Sequence, residues 1–338
     1  MSALAREMKK NMMARPTWLP NNFTLSILCT VLIASFLPCH GEVATMFSWL
    51  TNIAIAALFF MHGAKLSREN IIAGASHWRL HLFIFSTTFI IFPLIGLALR
   101  PLGIPLLGSG LYAGILYLCA LPSTVQSSIA FVSMARGNVS AAICSAAASS
   151  LFGIFLTPLI VALTMQASGT TDSHSMMDAI EKIMLQLLVP FIAGQVARKW
   201  ISGWVSRNKG VLKYLDQGSI LLVVYTAFSS AVIAGIWHRV PILSLLALVI
   251  FCAILLAIAL GLTAFFGKQF GFNLEDRITI LFCGSKKSLA TGVPMAQVLF
   301  PASSIGLIIL PVMIFHQVQL MVCAFIAQRL SKRDDNSL

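Results

Sequence analysis

The sequence predicts an all-α membrane protein of ten transmembrane helices, and three observations predict it. First, 58% of its 338 residues are hydrophobic and only 10% are charged, whereas a soluble domain carries roughly a quarter charged residues. Second, the apolar residues gather into ten runs, 22–39, 45–63, 80–99, 106–134, 138–165, 179–197, 216–237, 241–267, 277–300 and 303–328. Each is near the roughly 20 residues that cross the hydrocarbon core. Third, the basic residues alternate sides. With the N-terminus inside, eighteen of the 23 lysines and arginines fall in inner segments and only Arg100 and Arg239 in outer ones. That asymmetry is the positive-inside pattern, and one span more or fewer would scramble it. Both termini are therefore expected on the cytoplasmic side of the inner membrane.

Taken in order, the first run follows the basic segment MSALAREMKKNMMARP. A cleaved signal peptide is the rival reading, but the run ends in SFLPCHGEV without a small-residue cleavage site, so it reads as a helix. Polar links such as KLSREN, ASGTTDSHS, RNKGVLKYLDQG and GKQFGFNLEDR separate the later runs. Ten spans divide five and five within a single membrane domain, 1–338, as 1–165 and 178–330. An odd-numbered half places its copy upside down, which gives two inverted five-helix repeats.

The fourth and ninth runs would then correspond. Residues 118–128 read LCALPSTVQSS and residues 281–291 read LFCGSKKSLAT. In each, an apolar run containing Cys meets Pro122 or Gly284, then Ser and Thr, before apolar sequence resumes. Pro and Gly weaken helical hydrogen bonding, and backbone opened there is tolerated where it lines a cavity. Helices 4 and 9 are thus expected to be discontinuous, with freed carbonyls offered to a cation and helix N-termini to an anion.

All eleven carboxylates, from Glu7 to Asp335, lie in links, tails or terminal turns. This placement weakens any mechanism that rests on an intramembrane acid as proton relay or strong sodium ligand. The cations deep in a span are Lys286 and Lys287, where a charge costs at least ~2.5 kcal/mol even on lenient scales. Snorkelling serves poorly at the midplane. Consecutive helical residues point roughly 100° apart, so one regular face cannot hold both, whereas a broken helix can. At least one lysine is expected to bind an anionic solute or to stand in for a coupling cation. The candidate substrate or ion site is Thr88, Ser123, Thr124, Gln126, Ser127, Ser128, Gly284, Ser285, Lys286, Lys287, Ser288 and Thr291. His62, His316, Gln317 and Gln319 rank below these, since buried histidines more often bond helix backbone.

Other functions are disfavoured. The formal charge of +12 is spread in short tufts between apolar runs, which argues against a nucleic-acid partner. The seven cysteines are odd in number, lack any CxxC and sit mostly in apolar runs. An intramembrane enzyme would need an Asp pair, HExxH or GxSxG, none of which occurs, so no catalytic residue and no cofactor are expected.

The segment PSTVQSSIAFVSMARGNVSAAICSAAASSLFGIFLTPL resembles the fourth and fifth helices of the bile acid:sodium symporter family, including the ARG turn and the closing LTPL. The segment CGSKKSLATGVPMAQVLFP resembles the ninth helix of that family's orphan branch, which includes bacterial symporters and the vertebrate member seven-like proteins. The likeness implies a panel of helices 1, 2, 6 and 7 and a core of helices 3–5 and 8–10, in which helices 4 and 9 unwind and cross. It also implies sodium near that crossing. On this sequence the helix-4 sodium ligands fall on Ser127 and Ser128, but the helix-5 hydroxyls fall on Ala142 and Ala146. The helix-9 acid falls on Phe282, the following glutamine on Lys286, and the helix-3 glutamine near Thr88. No metal site is therefore assigned beyond partial sodium ligation by Ser127 and Ser128, and the two-sodium coupling that the likeness implies is expected to be altered or lost. The expected function is secondary transport of a small organic anion by alternating access, with membrane lipid as surroundings. A membrane regulator on the same scaffold that moves no solute is the alternative. Substrate and oligomeric state are not legible.

Overall fold

A computed structural model describes residues 22–65, 77–166, 184–233, 235 and 240–333. The basic N-terminal segment, Lys182, Arg239, the starts assigned to the two repeats at 1 and 178, and the residues beyond 333 lie outside the described residues. Among those described the regular structure is helical, with no strand.

The helices are α1 (Asn22–Phe36), α2 (Gly41–Lys65) and α3, which runs from Trp78 to Ala98 through a π turn at Thr87–Ile91. They continue as α4 (Arg100–Ala120), α5 (Gln126–Met134) and α6 (Val139–Gln166). Next come α7 (a π turn at Met184–Leu188 continuing as Val189–Arg207), α8 (Lys209–Ile233) and α9 (Ile242–Gln269). The chain closes with α10 (Leu274–Ser285), α11 (Leu289–Leu299) and α12 (Ala302–Ser331).

Seven of these are long and apolar enough to cross a membrane: α2, α3, α4, α6, α8, α9 and α12. The count differs from ten because three of the expected runs are carried otherwise. The first is the shorter α1, the sixth is the mixed-polarity α7, and the ninth is divided between α10 and α11. The fourth run also begins differently from its expected start at 106. Arg100, read as part of an outer link, begins α4, and Gly108 bends that helix with φ 78° and ψ 160°, a conformation open to glycine and strained for other residues.

Packing follows two sets. In one, α2 lies on α7, and α8 packs on α1 and α2. The α2–α7 crossing is close because both partners present glycine. A Cβ on Gly63 would overlap the carbonyl oxygen of Phe191, and one on Gly194 would overlap that of Phe60. In the other set, α3, α4, α6, α9, α10 and α12 surround the broken segments, and α8 touches α11 and α12. The buried interior is apolar and aromatic, with Phe59, Phe92, Tyr112, Tyr117, Phe228, Phe282 and Phe315 nearly inaccessible. The exterior carries exposed Leu32, Trp49, Leu102, Trp200, Ile242 and Leu243, too much apolar surface for a water-exposed monomer.

Links assigned by charge to one side of the membrane also meet in space. Lys65 at the end of α2 pairs with Asp216 of α8 at 2.6 Å. Arg79 of α3 donates to the Phe270 carbonyl just after α9 at 3.4 Å. Asn138, before α6, donates to Asp276 of α10 at 2.9 Å. Arg333, after α12, donates to the carbonyls of Ala135 and Arg136 in the ARG turn.

Candidate functional site

The two interrupted segments meet at the centre of the second helix set. Residues 121–125 separate α4 from α5, and residues 286–288 separate α10 from α11. Pro122 accounts for the first break, since the residue before a proline is driven from the helical region. Leu121 accordingly lies at φ −68°, ψ 151°. In the second break Lys286 is extended at φ −104°, ψ 147°, and Ser288 caps the next helix by accepting from the Thr291 N–H.

Buried backbone groups need partners when a helix opens, and each break supplies them to the other. The Ser288 N–H donates to the Pro122 carbonyl at 2.9 Å. Ser123 Oγ donates to the Cys283 carbonyl at 2.6 Å, and Ser128 Oγ to that of Phe282 at 3.4 Å. Around the first break, Thr157 Oγ1 donates to the Ala120 carbonyl at 2.9 Å, and the Ser123 N–H donates to Ser149 Oγ at 2.9 Å. Tyr117 closes the group by donating to the Gly292 carbonyl at 2.5 Å.

The extended backbone turns the two lysines to different partners. Lys287, 1% exposed, gives its ammonium to three backbone carbonyls: Thr88 at 2.8 Å, Cys119 at 2.7 Å and Leu121 at 2.7 Å. The ring of Phe92 lies 4.2 Å from the same nitrogen, close enough for a cation–π attraction. Lys286 is fully buried. Its ammonium donates to Ser127 Oγ at 2.7 Å and sits 4.2 Å from the Phe131 ring centroid. An ammonium has three donors, so Lys286 keeps capacity that Lys287 has spent. Neither lysine has a carboxylate partner among the described residues.

Beside Lys286, Ser127 is half-buried, while Val125 and Gln126 are exposed. Ser127 Oγ donates to Thr124 Oγ1 at 3.0 Å, and Thr124 shares a 2.7 Å bond with Ser128. Ser127 therefore sets the buried ammonium at the edge of the break, and a short hydroxyl chain runs inward from it to the buried Thr124 and Ser128.

The candidate residues read from the sequence separate into groups. Ser123, Thr124, Ser127, Ser128, Lys286, Lys287 and Ser288 converge at the crossing. Gly284 lies against Thr87 and Thr263. Thr88 takes part through its carbonyl, since its hydroxyl bonds back to Ile84 at 2.8 Å. Ser285 Oγ likewise bonds back to the Leu281 carbonyl. The Thr291 hydroxyl is buried without a hydrogen-bond partner, and Gln126 is on the exposed side of α5. Sequence reasoning ranked Gln319 low, yet it pairs with the backbone of Lys287. It missed Ser149, Thr157 and Tyr117, which saturate opened backbone, and the rings of Phe92 and Phe131. Their signal, a lone hydroxyl or ring in an apolar helix, is common and carries no address.

The model of the SBF-like CPA transporter family matches residues 21–332. The chain belongs to the SBF-like CPA transporter family. Among the relatives of this family member, Pseudomonas aeruginosa PA2026 is 63% identical over 325 residues, 96% of this chain and 97% of that one. The Escherichia coli protein named "Putative symporter YfeH" is 55% identical over 316 residues, 93% of each chain. The rat protein named sodium/bile acid cotransporter 7 is 30% identical over 282 residues, 81% of this chain and 80% of its own. The family is one of membrane transporters and not of enzymes. This bears out the family resemblance, and the orphan bacterial branch fits; it also bears out the expectation that the protein is not an enzyme.

Proposed function

We propose that this family member is a ten-span secondary active transporter of a small organic anion, and that Lys286 is the group that receives the anion's charge. The observation that carries this reading is the state of Lys286: a fully buried ammonium with one hydrogen bond, at the meeting of two broken helices. A charge at that depth is costly when uncompensated, and an anion seated beside it supplies both the missing countercharge and the missing acceptors. The N-terminus of α5, beginning at Gln126, adds its dipole beside Ser127.

In this reading α1, α2, α7 and α8 form the panel, and α3–α6 with α9–α12 form the core that moves against it in alternating access. The two five-helix halves are inverted repeats, and both termini face the cytoplasm of the inner membrane. The distribution of basic residues and the packing into two sets support this arrangement. Coupling departs from two-sodium symport, because Ala142 and Ala146 offer no side-chain oxygen and Lys286 brings its own positive charge.

The test is uptake into vesicles reconstituted with the purified protein, using a panel of carboxylates, sulfates and phosphates. The anions to try first are those that raise its melting temperature. Uptake of at least one anion that falls to background in Lys286→Gln supports the reading. Equal uptake by Lys286→Gln, or no anion moved faster than by empty vesicles, overturns it.

A further inference from the structure

We infer that Lys287 is a tethered cation, its ammonium filling a monovalent-cation site that the backbone builds independently of it. The oxygen cradle is a consequence of three other features. In the π turn of α3, the Phe92 N–H is given to the Thr87 carbonyl. The next donor that could serve Thr88 belongs to Pro93, which has no N–H. The Thr88 carbonyl is therefore left open. The Cys119 carbonyl would ordinarily accept from Ser123, but that N–H is taken by Ser149 Oγ at 2.9 Å. The Leu121 carbonyl ends α4 where Pro122 turns the chain out of the helix.

Three stranded carbonyl oxygens thus converge at the C-terminal, negative end of α4, with the face of Phe92 closing the fourth side. Carbonyls converging without a donor form the oxygen-rich surroundings that hold monovalent cations in membrane proteins. The Lys287 nitrogen sits among them at 2.7 to 2.8 Å, and each of its N–H groups is spent on one oxygen. The tether is also anchored at its root: Gln319 accepts from the Lys287 N–H and donates to its carbonyl.

The inference deepens the transport reading without depending on it for its test. A site that holds its cation covalently cannot release it, so an exogenous ion has no role there in driving transport. Cutting the tether should turn a built-in cation into an exchangeable one.

The experiment is thermal unfolding of the purified full chain in detergent. Lys287→Ala removes the three carbons and the nitrogen beyond Cβ, which together are the atoms of n-propylammonium. That variant is expected to melt well below the parent and to regain about 5 °C in a saturable way with n-propylammonium, relative to choline. The parent, and Lys287→Met, whose apolar side chain occupies the path of the lysine stem up to one atom short of the ammonium position and leaves n-propylammonium no room, should show no such response. Lys287→Gln ends one atom short of the ammonium position and adds an amide oxygen to the cradle, so sodium or potassium should stabilise it over choline. Should Lys287→Ala not be recovered as folded protein, Lys287→Gln decides alone. Indifference of the recovered variants to the cations offered, or an equal n-propylammonium response in the parent or Lys287→Met, would overturn the inference. Anion uptake by the parent is a separate measurement. Its loss would sink the transport reading and leave the cation site standing.

Discussion

The side-chain amide of Gln319 pairs with both backbone groups of Lys287, accepting from its N–H at 2.9 Å and donating to its carbonyl at 2.8 Å. α12 thereby does for the break between α10 and α11 what a neighbouring strand does for an extended chain. The two bonds settle which end of the amide faces which group. The same nitrogen also lies 2.9 Å from His316 Nδ1, which must then act as acceptor.

Gln319→Leu should accordingly leave a buried donor and a buried acceptor unpaired. Each costs about 1–3 kcal/mol, so a loss of about 3 kcal/mol is expected, read as a fall in melting temperature of several degrees. A change smaller than about 1 °C would show that water or a shifted side chain replaces the amide.

Lys286 and Lys287 should respond in opposite senses to neutral replacement by Met. Lys286→Met removes a buried charge that spends only one of its donors, so stability should hold or rise, while anion uptake should fall at least tenfold. Lys287→Met strands three carbonyls and should lower stability by about 3 kcal/mol. Parallel melting and uptake measurements on the two variants check this. Equal destabilisation by both would contradict the division of roles.

The α2–α7 crossing makes a steric prediction. Gly63→Ala and Gly194→Ala each place a methyl group into the opposing backbone, where only separation of the helices gives relief. A loss of about 2–3 kcal/mol is expected for each, measured by thermal unfolding. Gly210→Ala, at a position with open space around the added carbon, is the control and should be close to neutral.

Lys65 and Asp216 join α2 to α8 at 2.6 Å, with side chains 30% and 11% exposed. Partial exposure weakens the pair, so a double-mutant cycle with Lys65→Met and Asp216→Asn should give a coupling of about 1 kcal/mol that shrinks in high salt. An additive pair of substitutions would show that the contact contributes nothing.

Much of the helix pattern was legible in the sequence, because hydropathy, proline and charge are properties of a few neighbouring residues. The positions of the apolar runs, the interruptions near Pro122 and Gly284, and the isolation of Lys286 and Lys287 from any acid follow from such local facts. Chain pairing was not legible. Nothing around Lys287 announces that its ammonium will meet Thr88, which is 199 residues away, or that the carbonyl and not the hydroxyl of Thr88 is the atom that matters. That outcome needs Pro93 and the π turn to strand one oxygen, Pro122 to strand a second, and Ser149 to divert the donor of a third. The sequence by itself determined that two cations lie in an apolar span at a place where the helix cannot continue. Tertiary structure alone decided that one of them is spent on the fold and the other left open. An extended backbone sends adjacent side chains to opposite sides, and what waits there comes from distant parts of the chain.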